Sequence, residues 1–160
     1  MKKINLFILW GYNYYSLMKL ILLLIFSILL FGNNGGAHTH FPITNEDKAI
    51  SELGKVLYEK NCASCHAINL SGAKNWKEGK DEDGQRLSPP LNGTGHTWHH
   101  SDKFLHGIIK NGLAYYIKGY KGKMGPFGDV LNDKEIYSVL VYIKSYWKKD
   151  NYEHQINLQN

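Results

Sequence analysis

The sequence predicts an all-α domain, because apolar residues recur at helical spacing and no stretch alternates as a β-strand would. Three to four short helices are expected, each with recognisable start or stop residues. No internal repeat is visible, and 160 residues suffice for one domain and a leader. The core formed by so few helices is small, so the fold is expected to need a further apolar component.

The first predicted helix runs up to the two cysteines of the chain. Its start is marked by Thr44 as a cap and by Glu46 and Asp47 in the first turn, where the helix dipole favours negative charge. Its apolar face consists of Ile50, Leu53 and Leu57. This helix therefore leads directly into the segment that begins at Cys62.

Two further helices have clear boundaries. Ser101 or Asp102 caps the first of them and Gly112 ends it. Its apolar face consists of Phe104, Leu105, Ile108 and Ile109. Asn132 and Glu135 have the spacing of a capping box at the start of the second helix. The apolar face of that helix consists of Ile136, Val139, Leu140, Ile143 and Trp147. The segments 74–86, 88–93 and 119–128 are predicted to be loops or turns.

Residues 1–37 are predicted to be a signal peptide or an N-terminal membrane anchor. Twelve apolar or small residues, 20–31, follow Met18 and Lys19 and precede small residues, which is the layout of a secretory signal. The longer apolar stretch that begins near residue 4 would instead reach the ~20 residues that span a bilayer. Met18 is an alternative start. Beyond the leader we expect a flexible tail at 38–45, a folded domain at 46–148 and a C-terminal tail at 149–160.

The formal charge of +5 is misleading, because Lys2, Lys3 and Lys19 lie in the leader. From His38 onward, 16 Lys and Arg residues are balanced by 14 Asp and Glu residues. No basic stripe with interleaved aromatic residues occurs in this part of the sequence. We therefore expect no nucleic-acid partner.

The segment Cys62-Ala63-Ser64-Cys65-His66 has the Cys-x-x-Cys-His spacing that attaches c-type haem. The two thiols project from one side of a helical turn, where each can form a thioether with a haem vinyl group. His66 then lies beside the iron as a nitrogen ligand. A disulfide across two residues would stabilise little, a zinc site would need two more ligands, and a thioredoxin-like dithiol would follow a strand.

The segments around this motif resemble those of the class I cytochromes c, in the same order, over roughly residues 46–147. Gly54 and Tyr58 are similar to the glycine and the aromatic residue at which that family's first helix crosses its last. Pro89 begins a segment similar to the family's proline turn. This similarity implies that a backbone carbonyl of the turn accepts the proton on the other nitrogen of His66.

The resemblance also implies the second axial ligand. Segment 120–127 is similar to the family's methionine loop and contains Met124, the only methionine beyond the leader. Thioether ligation paired with histidine is typical of cytochromes c. Gly125 is a departure, because the family has proline directly after the methionine, and this leaves the rigidity of the loop open. The resemblance therefore implies a cytochrome c fold around one covalently attached haem c.

Three further features have two interpretations each. Arg86, the only arginine, either contacts a haem propionate or lies exposed on the surface. Trp98 either donates its indole N–H to a propionate or forms a hydrophobic lid over the haem. The histidines of the third feature are candidate metal ligands or sixth haem ligands: His96, His99, His100 and the nearby His106. A capping and hydrogen-bonding turn is favoured for them, because no acidic or cysteine partner completes a site.

The function predicted by these observations is that of a one-electron carrier, not an enzyme. It would act in the bacterial periplasm or anchored on the periplasmic face of the inner membrane, as a monomer with redox proteins as partners. With His66 and Met124 on the iron, no position is left for a substrate. Two other classes stay open. One is a haem enzyme or sensor with a displaceable sixth ligand, for example one with peroxidase-like activity. The other is a metal-binding accessory protein that uses the His96–His106 cluster.

Overall fold

The computed structural model describes residues 18–19, 21 and 48–158, and the chain divides into two units, Met1–His38 and Thr39–Asn160. In the first unit the described residues are Met18, Lys19 and Ile21, which are helical and exposed. The predicted signal peptide or anchor otherwise lies outside the described residues, as do the predicted tail at 38–45 and the Thr44 cap. None of the helices among the described residues has both the length and the apolar character needed to cross a membrane.

Residues 48–158 contain five α-helices: α1 (Lys48–Asn61), α2 (Ala63–His66), α3 (Asp102–Asn111), α4 (Asp133–Lys144) and α5 (Lys149–Asn157). Two short 3₁₀ turns, Thr97–His99 and Leu113–Tyr115, flank α3. The β-type pairing in this part of the chain is one isolated bridge between Lys80 and Arg86. The prediction of an all-α fold is therefore confirmed.

The two helix starts predicted from capping residues are confirmed. The hydroxyl group of Ser101 accepts a hydrogen bond from the Phe104 N–H at the start of α3, and Gly112 ends that helix. At the start of α4, the Asn132 side chain accepts from the Glu135 N–H, and the Glu135 carboxylate accepts from the Asn132 N–H. Both interactions join residues close in sequence, so local signals were sufficient to predict them.

Helix α1 crosses α4 at close range, and the crossing positions the cysteine segment. Gly54 lies at the crossing, where a Cβ atom would collide with the carbonyl group of Ser138. One turn later the buried ring of Tyr58 packs against the ring of Tyr142, with centroids 5.5 Å apart. The Cys62 N–H donates to the Tyr58 carbonyl at 2.8 Å, so the first cysteine lies one helical turn beyond the crossing.

The predicted C-terminal tail at 149–160 is wrong, because Lys149–Asn157 form helix α5. Helix α4 also ends at Lys144 and does not continue to Trp147. The folded domain therefore extends beyond the predicted limit at residue 148. Most of the stability of a short helix comes from tertiary packing, which the polar sequence of α5 does not reveal.

Helix α5 is joined to the rest of the domain by a buried ion-pair cluster, consisting of Lys144, Asp102 and Gln155. All three side chains are fully buried. Lys144 Nζ donates to both carboxylate oxygens of Asp102, at 2.9 and 3.1 Å, and to Gln155 Oε1 at 2.8 Å. Gln155 Nε2 donates to Asp102 Oδ1 at 2.6 Å and to the His100 carbonyl at 3.1 Å. The cluster therefore connects α3, α4, α5 and the loop before α3.

Candidate haem site

The Cys-x-x-Cys-His segment continues the helical path of α1 into α2. The His66 N–H donates to the Cys62 carbonyl at 2.9 Å, which closes one helical turn around the motif. Cys62 is half-buried and Cys65 is exposed, and both are free thiols. Burial, and next the neighbouring Cys65, raise the pKa of Cys62 to about 11. Its thiol is therefore protonated at neutral pH.

The imidazole of His66 is buried and has a defined orientation. Its Nδ1–H donates to the carbonyl oxygen of Pro89 at 2.9 Å. This bond assigns the proton to Nδ1 and leaves Nε2 as the nitrogen with a lone pair for a metal. Burial lowers the pKa of His66, so the ring is neutral near pH 7. A neutral, oriented imidazole is the form that ligates iron.

The proline turn that orients His66 is itself held by backbone and side-chain hydrogen bonds. The Leu91 N–H donates to the Leu70 carbonyl at 2.8 Å, and Trp147 Nε1 donates to the Leu91 carbonyl at 2.8 Å. Gly72 has a φ of +71° and packs so closely that a Cβ atom would lie 2.6 Å from the Pro89 carbonyl carbon. The turn therefore has little freedom to move away from the histidine.

The peptide groups of Met124 are held from two directions. The Met124 N–H donates to the hydroxyl oxygen of Tyr120 at 3.3 Å, and the Met124 carbonyl accepts from the Leu113 N–H at 3.2 Å. Gly112, with a φ of +78°, packs against the next residues, where a Cβ atom would lie 2.8 Å from the Pro126 nitrogen. Gly125 is open, since no heavy atom lies within 4 Å of the Cβ position. The loop is therefore held at Met124 and at Pro126, on either side of Gly125.

These residues fit a covalently attached haem. Two free thiols lie next to an oriented imidazole, and a thioether lies in a loop held against the same core. Apolar side chains from all three segments pack on this core but are only half-buried: Cys62, Ala63, Leu91, Met124 and Phe127. Half-buried apolar side chains around a ligand set are suited to a large apolar ring.

The two predicted propionate contacts stay predictions. The indole N–H of Trp98 donates to the Gly95 carbonyl at 3.0 Å within its own turn, and its role as a propionate donor stays a prediction. The half-buried ring packs against the core, and its role as a lid stays a prediction. Arg86, which forms the isolated bridge with Lys80, is exposed, and its propionate contact also stays a prediction.

The histidines of the predicted cluster have different neighbours in the structure. His96 lies beside His100, with ring centroids 5.7 Å apart, whereas His99 lies beside His154 of α5 at the same distance. His106 instead lies near Asp133, with its Nε2 3.4 Å from the carboxylate. Within the described part of the chain, no three histidine, cysteine or acidic side chains are grouped so that they could hold a metal ion.

An all-α domain that presents this Cys-x-x-Cys-His segment and an oriented histidine is a c-type cytochrome domain. A family model described as cytochrome c oxidase, cbb3-type, subunit III matches residues 51–143, which is more than half of the chain, and the chain belongs to this family. The predicted class I mono-haem cytochrome c family is confirmed, and so is haem c as the covalently bound cofactor. Searches of curated proteins and of solved structures gave no match.

The sequence interpretation missed several residues that support the site. Tyr120 contacts the Met124 peptide, Trp147 holds the proline turn, and His154 joins the histidine region from α5. For Tyr120, the available signal in the sequence was a tyrosine inside a glycine-rich loop. The other two depend on where the residues after Lys144 fold back, and the sequence contains no local signal of that path.

Proposed function

We propose that this protein is a one-electron carrier whose haem iron has His66 and Met124 as axial ligands, and that it acts in a periplasmic electron-transfer chain. The family supports haem-based electron transfer in general. When bound, haem c supplies a reversible one-electron couple. The observation that supports the assignment most is the hydrogen bond from His66 Nδ1 to Pro89, which leaves one ring nitrogen for the iron.

His66 would contribute a neutral imidazole ring with a fixed orientation. Its ring is buried and neutral, and its Nδ1 proton is held by a carbonyl oxygen that the proline turn keeps in place. An imidazole held in this way keeps the same position in both oxidation states, which keeps the reorganisation on electron transfer small.

The contribution of Met124 is a soft sulfur ligand at the other axial position. Thioether ligation favours ferrous iron and raises the reduction potential relative to two nitrogen ligands. The hydrogen bonds from Leu113 and to Tyr120 restrict the backbone at this residue and support its assignment as the sixth ligand. With both positions occupied, a carrier has no site for a substrate.

The location and partners are proposals from the sequence. The leader at 1–37 has the layout of a secretory signal, and it would export the domain or anchor it to the inner membrane. Partners would be redox proteins that exchange electrons with a monomer. Fractionation of cells that express the full chain tests the location, because the covalent haem should be found with the periplasmic or inner-membrane fraction and not with the cytoplasm.

A potentiometric titration of the purified holoprotein tests the carrier function. A carrier should titrate reversibly with the slope of a single electron and should stay low-spin in both oxidation states. Added cyanide should bind slowly and weakly, because it must displace a protein ligand. A ferric protein that is high-spin at neutral pH would contradict the carrier proposal.

A second candidate is a haem enzyme or sensor with a displaceable sixth ligand. The open space at the Cβ position of Gly125, directly after Met124, favours it, because no side chain packs against this side of the loop. A high-spin ferric spectrum together with rapid binding of cyanide or peroxide would support this candidate. Slow, weak binding by a low-spin protein would contradict it.

A further inference from the structure

Tyr120 lies in the same loop as Met124, and its side chain folds back over the loop. The phenol oxygen accepts the Met124 N–H at 3.3 Å, although four residues separate the two. The Tyr120 N–H donates to the Ile117 carbonyl at 3.1 Å, which fixes the start of this turn. The side chain therefore closes a ring of contacts inside the methionine loop.

Gly122 makes this arrangement possible. A Cβ atom at residue 122 would collide with the hydroxyl oxygen and the adjacent ring carbon of Tyr120. The absence of a side chain at Gly122 is therefore needed for the Tyr120 hydroxyl to reach the Met124 peptide. The close approach of Gly122 to Tyr120 is a second observation beside the hydrogen bond, and it indicates that the loop backbone packs around the tyrosine.

The opposite side of Met124 is held by a different element. The Leu113 N–H, at the 3₁₀ turn after α3, donates to the Met124 carbonyl at 3.2 Å. Met124 is thus connected to the rest of the domain through its carbonyl and to its own loop through its N–H. Loss of the Tyr120 contact would leave the N–H side free to move while the carbonyl side stays fixed.

We propose that Tyr120 is a positioning residue for the sixth haem ligand, because its hydroxyl oxygen holds the Met124 peptide and limits how often the thioether leaves the iron. This inference rests on the proposed function, in which Met124 ligates the iron. The Tyr120 hydrogen bond would then restrain the loop backbone in place of a proline directly after Met124, where this chain has Gly125.

Binding of imidazole to the ferric holoprotein measures this effect. Imidazole must displace Met124, so its apparent affinity rises with the fraction of molecules in which Met124 is detached. Tyr120→Phe removes the acceptor and keeps the ring, and it should increase the apparent affinity about two- to tenfold, as expected for one neutral hydrogen bond. The sulfur-to-iron charge-transfer band at the red end of the visible spectrum should weaken in parallel.

Gly122→Ala is the second variant, because it keeps the hydroxyl group and displaces it. It should shift imidazole affinity in the same direction as Tyr120→Phe. Tyr115→Phe is the matched control, because Tyr115 is 73% exposed and should lose a hydroxyl group without consequence. An unchanged imidazole affinity in Tyr120→Phe would overturn the proposal.

A double-mutant cycle separates positioning from a general structural role. In the Met124→Ala background, Tyr120→Phe should no longer change imidazole affinity, because no thioether remains to be held. An equal effect in both backgrounds would show that Tyr120 acts on the fold and not on the ligand, which overturns the proposal. If Met124→Ala itself leaves the spectrum and the imidazole affinity unchanged, the proposed function fails, and this inference fails with it.

Discussion

Replacing Lys144 with methionine should destabilise the folded domain by about 3–5 kcal/mol, because the Asp102 carboxylate then stays buried without its cation. In the native protein the Lys144 ammonium group donates to three oxygens at 2.8–3.1 Å, and neither charged side chain is exposed. Methionine fills most of the space of the lysine stem, so the loss of charge and hydrogen bonds dominates over cavity formation. The free energy of unfolding of a native protein is about 5–15 kcal/mol, so this loss would be a large share of the total.

Urea unfolding of the holoprotein, followed by circular dichroism, measures this free energy. The control is Lys149→Met, which breaks an exposed pair between Lys149 and Glu153 at 3.6 Å and should cost less than about 0.5 kcal/mol. Gln155→Ala keeps the ion pair and removes its amide partner, so an intermediate loss of about 1–3 kcal/mol is expected. Unfolding of Lys144→Met and Lys149→Met at the same urea concentration would contradict the stabilising role of the buried ion pair.

Three further outcomes are expected. Replacing both Cys62 and Cys65 with alanine should abolish covalent haem and leave a protease-sensitive chain, because the remaining core is small; a folded haem-free domain would contradict this. Trp147→Phe should cost about 1 kcal/mol in urea unfolding, since the carbonyl of the proline turn loses its indole donor, and an unchanged midpoint would contradict this role. The hydrogen bond from Lys110 at 2.7 Å lowers the pKa of Asp133, so this carboxylate stabilises the fold above its unfolded pKa and the contribution is lost as pH falls. Asp133→Asn should therefore lose less stability than the native protein between neutral and acid pH, and equal losses would refute the assignment.

The elements that sequence reasoning predicted are those with local signals. Ser101 and Asn132 form hydrogen bonds with residues three positions away, so their capping role is visible in the sequence. The cysteine segment has a fixed spacing that covalent chemistry requires, and the structure shows it as one continuous helical turn. Such features depend little on the rest of the fold.

The parts that escaped prediction depend on distant contacts. Helix α5 has few apolar residues, and Gln155 joins it to Lys144, 11 positions earlier, and to Asp102, 53 positions earlier. The role of Tyr120 depends on the path of its loop, because its partner is a backbone N–H. Neither periodicity nor composition records where such a polar group will find its partner.

The absorption spectrum of the oxidised Met124→Ala protein tests the central proposal most directly. The native protein should be low-spin with a weak sulfur-to-iron charge-transfer band, and Met124→Ala should lose this band and become high-spin or bind added ligands readily. A matched variant with alanine at His96, His99 and His100 should keep the native spectrum. A Met124→Ala protein that stays low-spin, while the histidine variant turns high-spin, would contradict the axial ligation proposed here.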